Sequence, residues 1–556
     1  MVEIIGIPNA YGSSTFLTAD VNSGAKGQGG NLTITTKKLS VKDGGLVSTN
    51  TFGEGNAGNL TINVENLSIN NSQISASTFD RGNAGSLTVN ASQSIEISGE
   101  LPGQNERTGF PGGLLAQVNP EGKGNGGNLT IQTKRLSVSD GSKVQVSTFG
   151  IGNSGDLLIR ASDIDVFESP INNFYSTGIF AETSLARSSN SSEIIGTGQG
   201  NAGNLTIETE RLRIRNGGQV SAATFGLGNA GNLTVRASDL IEVSGIEDAN
   251  AFRGSRSVSL LTADVKQGAT GRGGNIKIET GRLKIDNEAQ ISVSAFDESG
   301  TAGNLEINAD SINLDRGTIT AATAFGEGGN INLKIDDTLF MRNNSSITAQ
   351  ALNNANGGNI NINAPNGFII AFPKQNNDIV ANAAQGRGGN INITAESIFG
   401  ILERPLNSIT NDINASSEFG LQGNISINNP DVDPSRGLIE LPENVVDPST
   451  QIAQNPCQRG VGSEFTVTGR GGLPPSPDRT LNSDNVRVGL VAPVPSKANT
   501  ATTNINLPSV NSHTQEIVPA QGWVFNNKGE VMLTTYDPTN KGVERSRQNP
   551  ATCAAR

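Results

Sequence analysis

Few residues in this chain are of types and spacings that could do chemistry. Three acidic clusters, Asp163 with Asp165, Asp336 with Asp337, and Asp431 with Asp433, carry the groups that acid–base cleavage of a polysaccharide requires. That chemistry needs two or three carboxyl groups close together in a groove. Asp163 and Asp165 fall on one strand face, in "ASDIDVF", which matches "ASDLIEVSG" and reads as the solvent side of an amphipathic strand. Asp336 and Asp337 stand at a strand-to-turn junction, and Pro434 in "NNPDVDPSRG" favours a turn over cation chelation. The single histidine, His513, lies in a Pro-rich stretch without a Ser or Cys partner. Cys457 and Cys553 cannot complete a four-ligand zinc site with that one His. A disulfide between them and two unpaired thiols both stay open. Nucleophile elbows and phosphate loops are absent, and "TGRGG" supplies glycine without the strand-to-helix setting a phosphate loop needs. No catalytic residue, cofactor or metal is expected, and the chain does not read as an enzyme.

The elements that would position any such group are set by composition. Sixty-eight glycines among 556 residues, one Trp, three Met and 34% hydrophobic residues leave little bulky material for a wide core, so a thin, elongated one is expected. A net charge of -12 with dispersed cations such as Lys37, Lys38, Arg211 and Arg213 argues against nucleic acid as a partner. No apolar run is long enough to cross a bilayer as a helix, and "MVEIIGIPNAYGSS" is not a secretory signal.

The dominant feature is repetition. "GEGNAGNLTINVENLSI" returns as "GKGNGGNLTIQTKRLSV" and "GQGNAGNLTIETERLRI". The last Asn of the motif falls at Asn31, Asn59, Asn128, Asn204, Asn232, Asn275, Asn304, Asn330, Asn359, Asn390 and Asn424, with Ser86 and Asp156 as substitutes, giving about 13 copies. The tight spacing is about 28 residues. Within it, three short segments such as "NLTINV", "NLSIN" and "SQISAST" alternate apolar and polar residues, so Leu60, Ile62 and Val64 share one face, as do Leu67 and Ile69. Segments this short cannot bury themselves alone. The expected fold is all-β, a right-handed parallel β-helix over residues 1–429 in which each strand pairs with its copy in the next coil, roughly 60 Å long at ~4.8 Å per coil.

Stacking of like residues would form ladders. Asn on Asn passes amide hydrogen bonds between coils, and Gly permits sharp turns. Phe52, Phe79, Phe149, Phe225, Phe296 and Phe325 recur at one position and are expected to form an aromatic column, either as packing or as a carbohydrate-stacking platform. The "NLT" sequons at Asn31, Asn59, Asn128, Asn204 and Asn232 read as a buried turn ladder, which could not carry glycans on successive coils. The Asp of calcium-binding nonapeptide repeats is missing, so no calcium roll is expected.

Three longer intervals carry extra residues after equivalent strands, near 99–113, 168–178 and 245–258. Loops would therefore leave one side of the coil on alternate repeats. Phe110, Phe174, Tyr175, Phe252 and Arg253 are candidate contact residues there, unless these loops only shield the flank. "VEIIGIPNAYGSSTFLTADV" aligns with "IEVSGIEDANAFRGSRSVSLLTADV", so the chain starts within a coil and reads as the C-terminal portion of a longer protein. Residues 430–556 hold 14 of 22 prolines and read as a Pro-rich strap and small cap, with a hairpin in "GWVFNNKGEVMLTTYD".

The "GNAGNLTI" coils, then "RPLNSITNDINASSEFG" and "NPDVDPSRGLIELPENVVDPSTQIAQNPC", resemble the C-terminal region of cyanobacterial exoproteins similar to filamentous haemagglutinin, of the two-partner secretion class. The resemblance covers essentially the whole chain. It implies a secreted or cell-surface adhesin or structural component, outside the cell, whose partners are an outer-membrane two-partner secretion transporter and surface glycans or other cells. The signal and secretion domain of that class are not represented. Two other readings stand beside it: a carbohydrate-active β-helix enzyme, and a fragment of a larger adhesin that is not exported.

Overall fold

The computed structural model describes residues 1–6, 15–101, 110–167, 175–187, 194–247, 257–297, 300–429, 522–525 and 531–534. The chain divides into two compact units, Met1–Leu438 and Ile439–Arg556. Every regular element among the described residues is a β-strand.

In the first unit the alternating segments form two large parallel sheets, one of 17 strands and one of 14. Each strand pairs in register with the equivalent strand of the next repeat. Leu60 lies beside Leu32 on one side and Leu87 on the other, and Ile62 lies between Ile34 and Val89. Of the three expected segments, the first two fuse in many repeats into one long strand such as Leu60–Asn70 or Leu205–Arg215. Elsewhere they stay separate, as Leu129–Gln132 and Arg135–Ser139. The third is a short strand, for example Gln73–Ser75. Beyond it two further columns of single parallel bridges run through Thr51, Thr78 and Val118 and through Glu54, Arg81 and Lys123.

The period-2 pattern sends one set of side chains inward. Leu205, Ile207, Leu212, Ile214 and Val220 of a single repeat are all fully buried and belong to one continuous aliphatic cluster. Each such side chain contributes roughly 1.5–3 kcal/mol on burial. A repeat cannot realise that gain without neighbours above and below it.

The turns explain the remaining motif letters. Asp43, Asn71, Asp140, Asn216 and Asn287 adopt left-handed φ between 46° and 59° after the second strand line, a conformation Asn and Asp tolerate best among non-glycine residues. In the "GN" pair, a Cβ on Gly231 would run into the carbonyl oxygen of Gly203, and one on Gly274 into that of Gly231. The same close approach recurs from Gly58 to Gly423, so glycine is required at this letter of every repeat that stacks on a preceding one.

The three longer intervals leave after the second strand line, with short antiparallel pairs at the base of two of them, Glu100–Leu101 with Phe110–Pro111 and Ile246–Glu247 with Ser257–Val258. The second interval also holds an unexpected excursion. Leu185–Arg187 pairs with Ile194–Thr197 after the third strand line. The spacing of the repeats in sequence shows only the total of its extra residues, not their division between two departures. In the second unit Gly522–Phe525 pairs antiparallel with Val531–Thr534, placing Val524 opposite Met532 and Phe525 opposite Val531. Asp431, Asp433, Cys457, His513 and Cys553 lie outside the described residues.

Candidate functional site: the insertion-bearing face

The third strand line carries the insertions on its flank, and its outward positions are unlike those of the other strands. Val144, Ile179 and Val220 point into the core, so their neighbours Gln145, Phe180 and Ser221 point away from it. These outward side chains are nevertheless buried. The amide oxygens of Gln117 and Gln145 are also enclosed, with no hydrogen-bond partner.

Two insertions meet here. The backbone N–H of Tyr175, at the end of the second, donates to Glu100 Oε1, at the start of the first, over 2.6 Å. Lys143 places its ammonium 5.3 Å from the centre of the Tyr175 ring and 5.0 Å from that of Phe180. A cation held between two ring faces gains from both quadrupoles. Burial, and then the negative charge of Glu100, push the Tyr175 phenol up to about 12. Tyr175 is thus built into the base of the insertions. Phe110 pairs through its backbone with Leu101, its side chain being outside the described atoms, and Phe174, Phe252 and Arg253 lie outside the described residues.

Two residues further along each repeat, a polar column crosses the repeats. Asp20 Oδ1 accepts from the N–H of Asn50 at 2.6 Å, and Asn50 Oδ1 accepts from the N–H of Ser77 at 2.7 Å. In the repeats that carry insertions the column holds Gln117, Glu182 and Asp264. Glu182 accepts from the Ser221 hydroxyl in the next repeat, and burial pushes its carboxyl up to about 7. Asp264 accepts from Ser292 Oγ and from the N–H of Ser294, both at 2.6 Å, and pairs with Lys266 Nζ at 2.6 Å. Both acids are enclosed, at 6% and 1% exposure, so they tie repeats together and cannot reach a substrate. Sequence reading passed over them, although "FAETS" and "LTADV" place an acid where "VQVST" and "VSAAT" have Ser147 and Ala223.

The expected ladders need two corrections. Asn31, Asn59, Asn128, Asn204 and Asn232 are exposed, not buried. Their principal bond is from backbone to side chain: the N–H of Asn59 donates to Asn31 Oδ1 at 2.8 Å, that of Asn232 to Asn204 Oδ1 at 3.2 Å, and that of Asn275 to Asn232 Oδ1 at 3.1 Å. Asn304 donates likewise to Asn275 at 2.9 Å. Amide-to-amide bonds accompany these in some repeats, as from Asn330 Nδ2 to Asn304 Oδ1 at 3.0 Å. A second column, unnoticed in the sequence, uses the first Asn of "GNAGN": Asn83 donates to Asn56 at 2.9 Å and Asn229 to Asn201 at 3.0 Å.

The aromatic column is interrupted. Phe52 and Phe79 stack with centroids 4.4 Å apart, but the next repeat places Asn119 after the bridge residue Val118, where Phe79 follows Thr78. Ser184 and Lys266 take the same place between Phe149, Phe225 and Phe296. These three rings are therefore two repeats apart, roughly 9–10 Å, beyond stacking range. Phe325 is one residue out of phase, Ala324 standing at that position.

The sequence-proposed carboxylate pairs behave differently. Asp163 forms a two-point pair with Arg211, Nε to Oδ1 at 2.6 Å and Nη2 to Oδ2 at 3.0 Å, which holds its carboxyl below the usual range. Asp165 is flanked by Arg213 at 3.3 Å and Arg215 at 3.1 Å. Asp336 and Asp337 are exposed. No three His, Cys, Asp or Glu side chains gather in a metal-binding group among the described residues, and none of those residues form a helix long and apolar enough to cross a membrane.

No family model, no curated protein and no solved structure matches the chain.

Proposed function

We propose that residues 1–429 form a right-handed parallel β-helix of about 13 coils serving as a secreted or cell-surface structural, adhesin-like stalk that presents its insertions for contact. The observation that carries this reading is the joining of insertions from separate repeats on one face, through Glu100 and Tyr175 over a sequence distance of 75 residues. A composite surface borne on stacked repeats suits contact with another surface. Four acids of the repeats are committed elsewhere, Asp163 and Asp165 to arginines, Glu182 and Asp264 to the interior. Kinship with two-partner secretion exoproteins, and passage through an outer-membrane transporter, rest on the sequence resemblance alone.

The test is an antibody against residues 430–556, applied to intact and to permeabilised cells, with the reacting species sized on a denaturing gel. Labelling of intact cells is expected. Labelling only after permeabilisation would remove the surface reading and leave a fragment that is not exported.

A further inference from the structure

A second face of the repeats, away from the insertions, carries a groove of about 630 Å3 at the corner between the first and second strand lines. It runs across four consecutive repeats, and its walls include Thr35, Asn63, Asn90 and Gln132, with Lys37 and Glu65 at the rim. Val64 and Ala91 form its floor. At ~4.8 Å per repeat the groove is roughly 14 Å long.

The groove exists because of which side chains occupy one column. Thr35, Asn63, Asn90, Gln132, Arg160, Glu208, Arg236 and Glu279 are successive outward neighbours in the first strand line. In the next four repeats long charged side chains occupy this column and pair across it, Arg160 Nε meeting Glu208 at 2.7 Å and Arg236 Nε meeting Glu279 at 3.1 Å. In the earlier repeats short hydroxyls and amides leave the corner open.

The chemistry of the open part selects its ligand. Asn90 Nδ2 donates to Asn63 Oδ1 at 2.9 Å, which leaves Asn63 Nδ2 as a donor and Asn90 Oδ1 as an acceptor for something else. Gln132 is exposed and offers both functions. Lys37 and Glu65 face each other at 4.0 Å and cancel, so an anionic polymer finds no net attraction. A peptide strand finds no free sheet edge, because Asn63 and Asn90 lie in strands paired on both sides. The geometry points to a binding site for an extended, uncharged, polyhydroxylated polymer, a neutral glycan chain lying along the stack of repeats.

The test is titration of the purified full chain with neutral hexasaccharides of β-1,4-glucose, α-1,4-glucose and β-1,4-N-acetylglucosamine, with a uronate hexamer as the anionic control. Binding of at least one neutral probe is expected, with Kd on the order of 1 mM, since the walls offer hydrogen bonds without a stacking ring. The double variant N63R/N90E copies the Arg160–Glu208 pair into the groove and should weaken binding at least about tenfold. Should it fold poorly, Asn90→Arg alone places one long side chain in the same column of the groove and is expected to weaken binding in the same sense. The proposal is overturned if no neutral probe binds, if only the uronate binds, or if binding survives in the groove-filled variants. Binding by purified protein does not depend on export, so this outcome and that of the cell-labelling test are independent.

Discussion

Glu182 accepts a hydrogen bond from the hydroxyl of Ser221, 39 positions later, and both side chains are enclosed between adjacent repeats. A carboxyl group shut away from water in this manner resists ionisation, and its pKa of about 7 sets a direction for stability.

Because the folded value lies above the ordinary 4.5, the folded state holds its proton more tightly between those limits. The contribution is complete below about 4.5 and is lost as pH rises through about 7, up to ~3 kcal/mol in all. The parent chain should therefore lose stability between pH 5 and pH 8 relative to Glu182→Gln. Asp378, pushed to about 6 mainly by burial, acts in the same direction, so the comparison must be between variant and parent. Denaturation midpoints of both chains across that range decide it; parallel profiles would mean Glu182 titrates normally.

The close approach of glycines predicts a sharp contrast within one motif. Gly231→Ala would force a Cβ against the Gly203 carbonyl and is expected to cost several kcal/mol, whereas Ala230→Gly next to it should cost about 1 kcal/mol or less. Thermal melting followed by circular dichroism checks both.

Asp156 stands naturally in the exposed Asn column and accepts from the N–H of Asn204 at 2.8 Å. An aspartate at Asn232 should then preserve the acceptor that the N–H of Asn275 uses, and Asn232→Asp is expected to be near neutral. Asn232→Ala should cost about 1 kcal/mol, water replacing part of what is lost. Equal melting points for the two variants would argue that the column carries no stability.

Arg211 and Asp163 make a two-point pair at 36% and 20% side-chain exposure. A double-mutant cycle with Arg211→Ala and Asp163→Ala should give a coupling of about 1 kcal/mol, shrinking as salt is raised. Asp163 is held low chiefly by its hydrogen bond from Arg211, so its contribution is present above the ordinary carboxylate range and fades as pH falls through it. A coupling that did not respond to salt would point to packing instead of charge.

What is local and periodic in this fold can be read from the chain's residues alone. Strand alternation at Leu60 and Ile62, the demand for glycine and asparagine at the turns, the parallel in-register pairing and the intervals that hold long insertions follow from a pattern repeated about every 28 residues, whereas the second departure in the middle interval, at Leu185–Arg187, does not. What depends on side chains that differ from one repeat to the next was decided only in three dimensions. Asn119, Ser184 and Lys266 interrupt the phenylalanines because the insertion-bearing repeats bring different side chains to that position. The joining of Glu100 to Tyr175 and the placement of Lys143 between two rings are likewise tertiary. Burial followed the same division: alternation separates inward from outward positions, but whether an outward residue such as Glu182 or Asn59 meets water depends on the surroundings the folded chain builds over it. That difference left the asparagines exposed and the glutamate enclosed, the reverse of what their side-chain chemistry alone suggests.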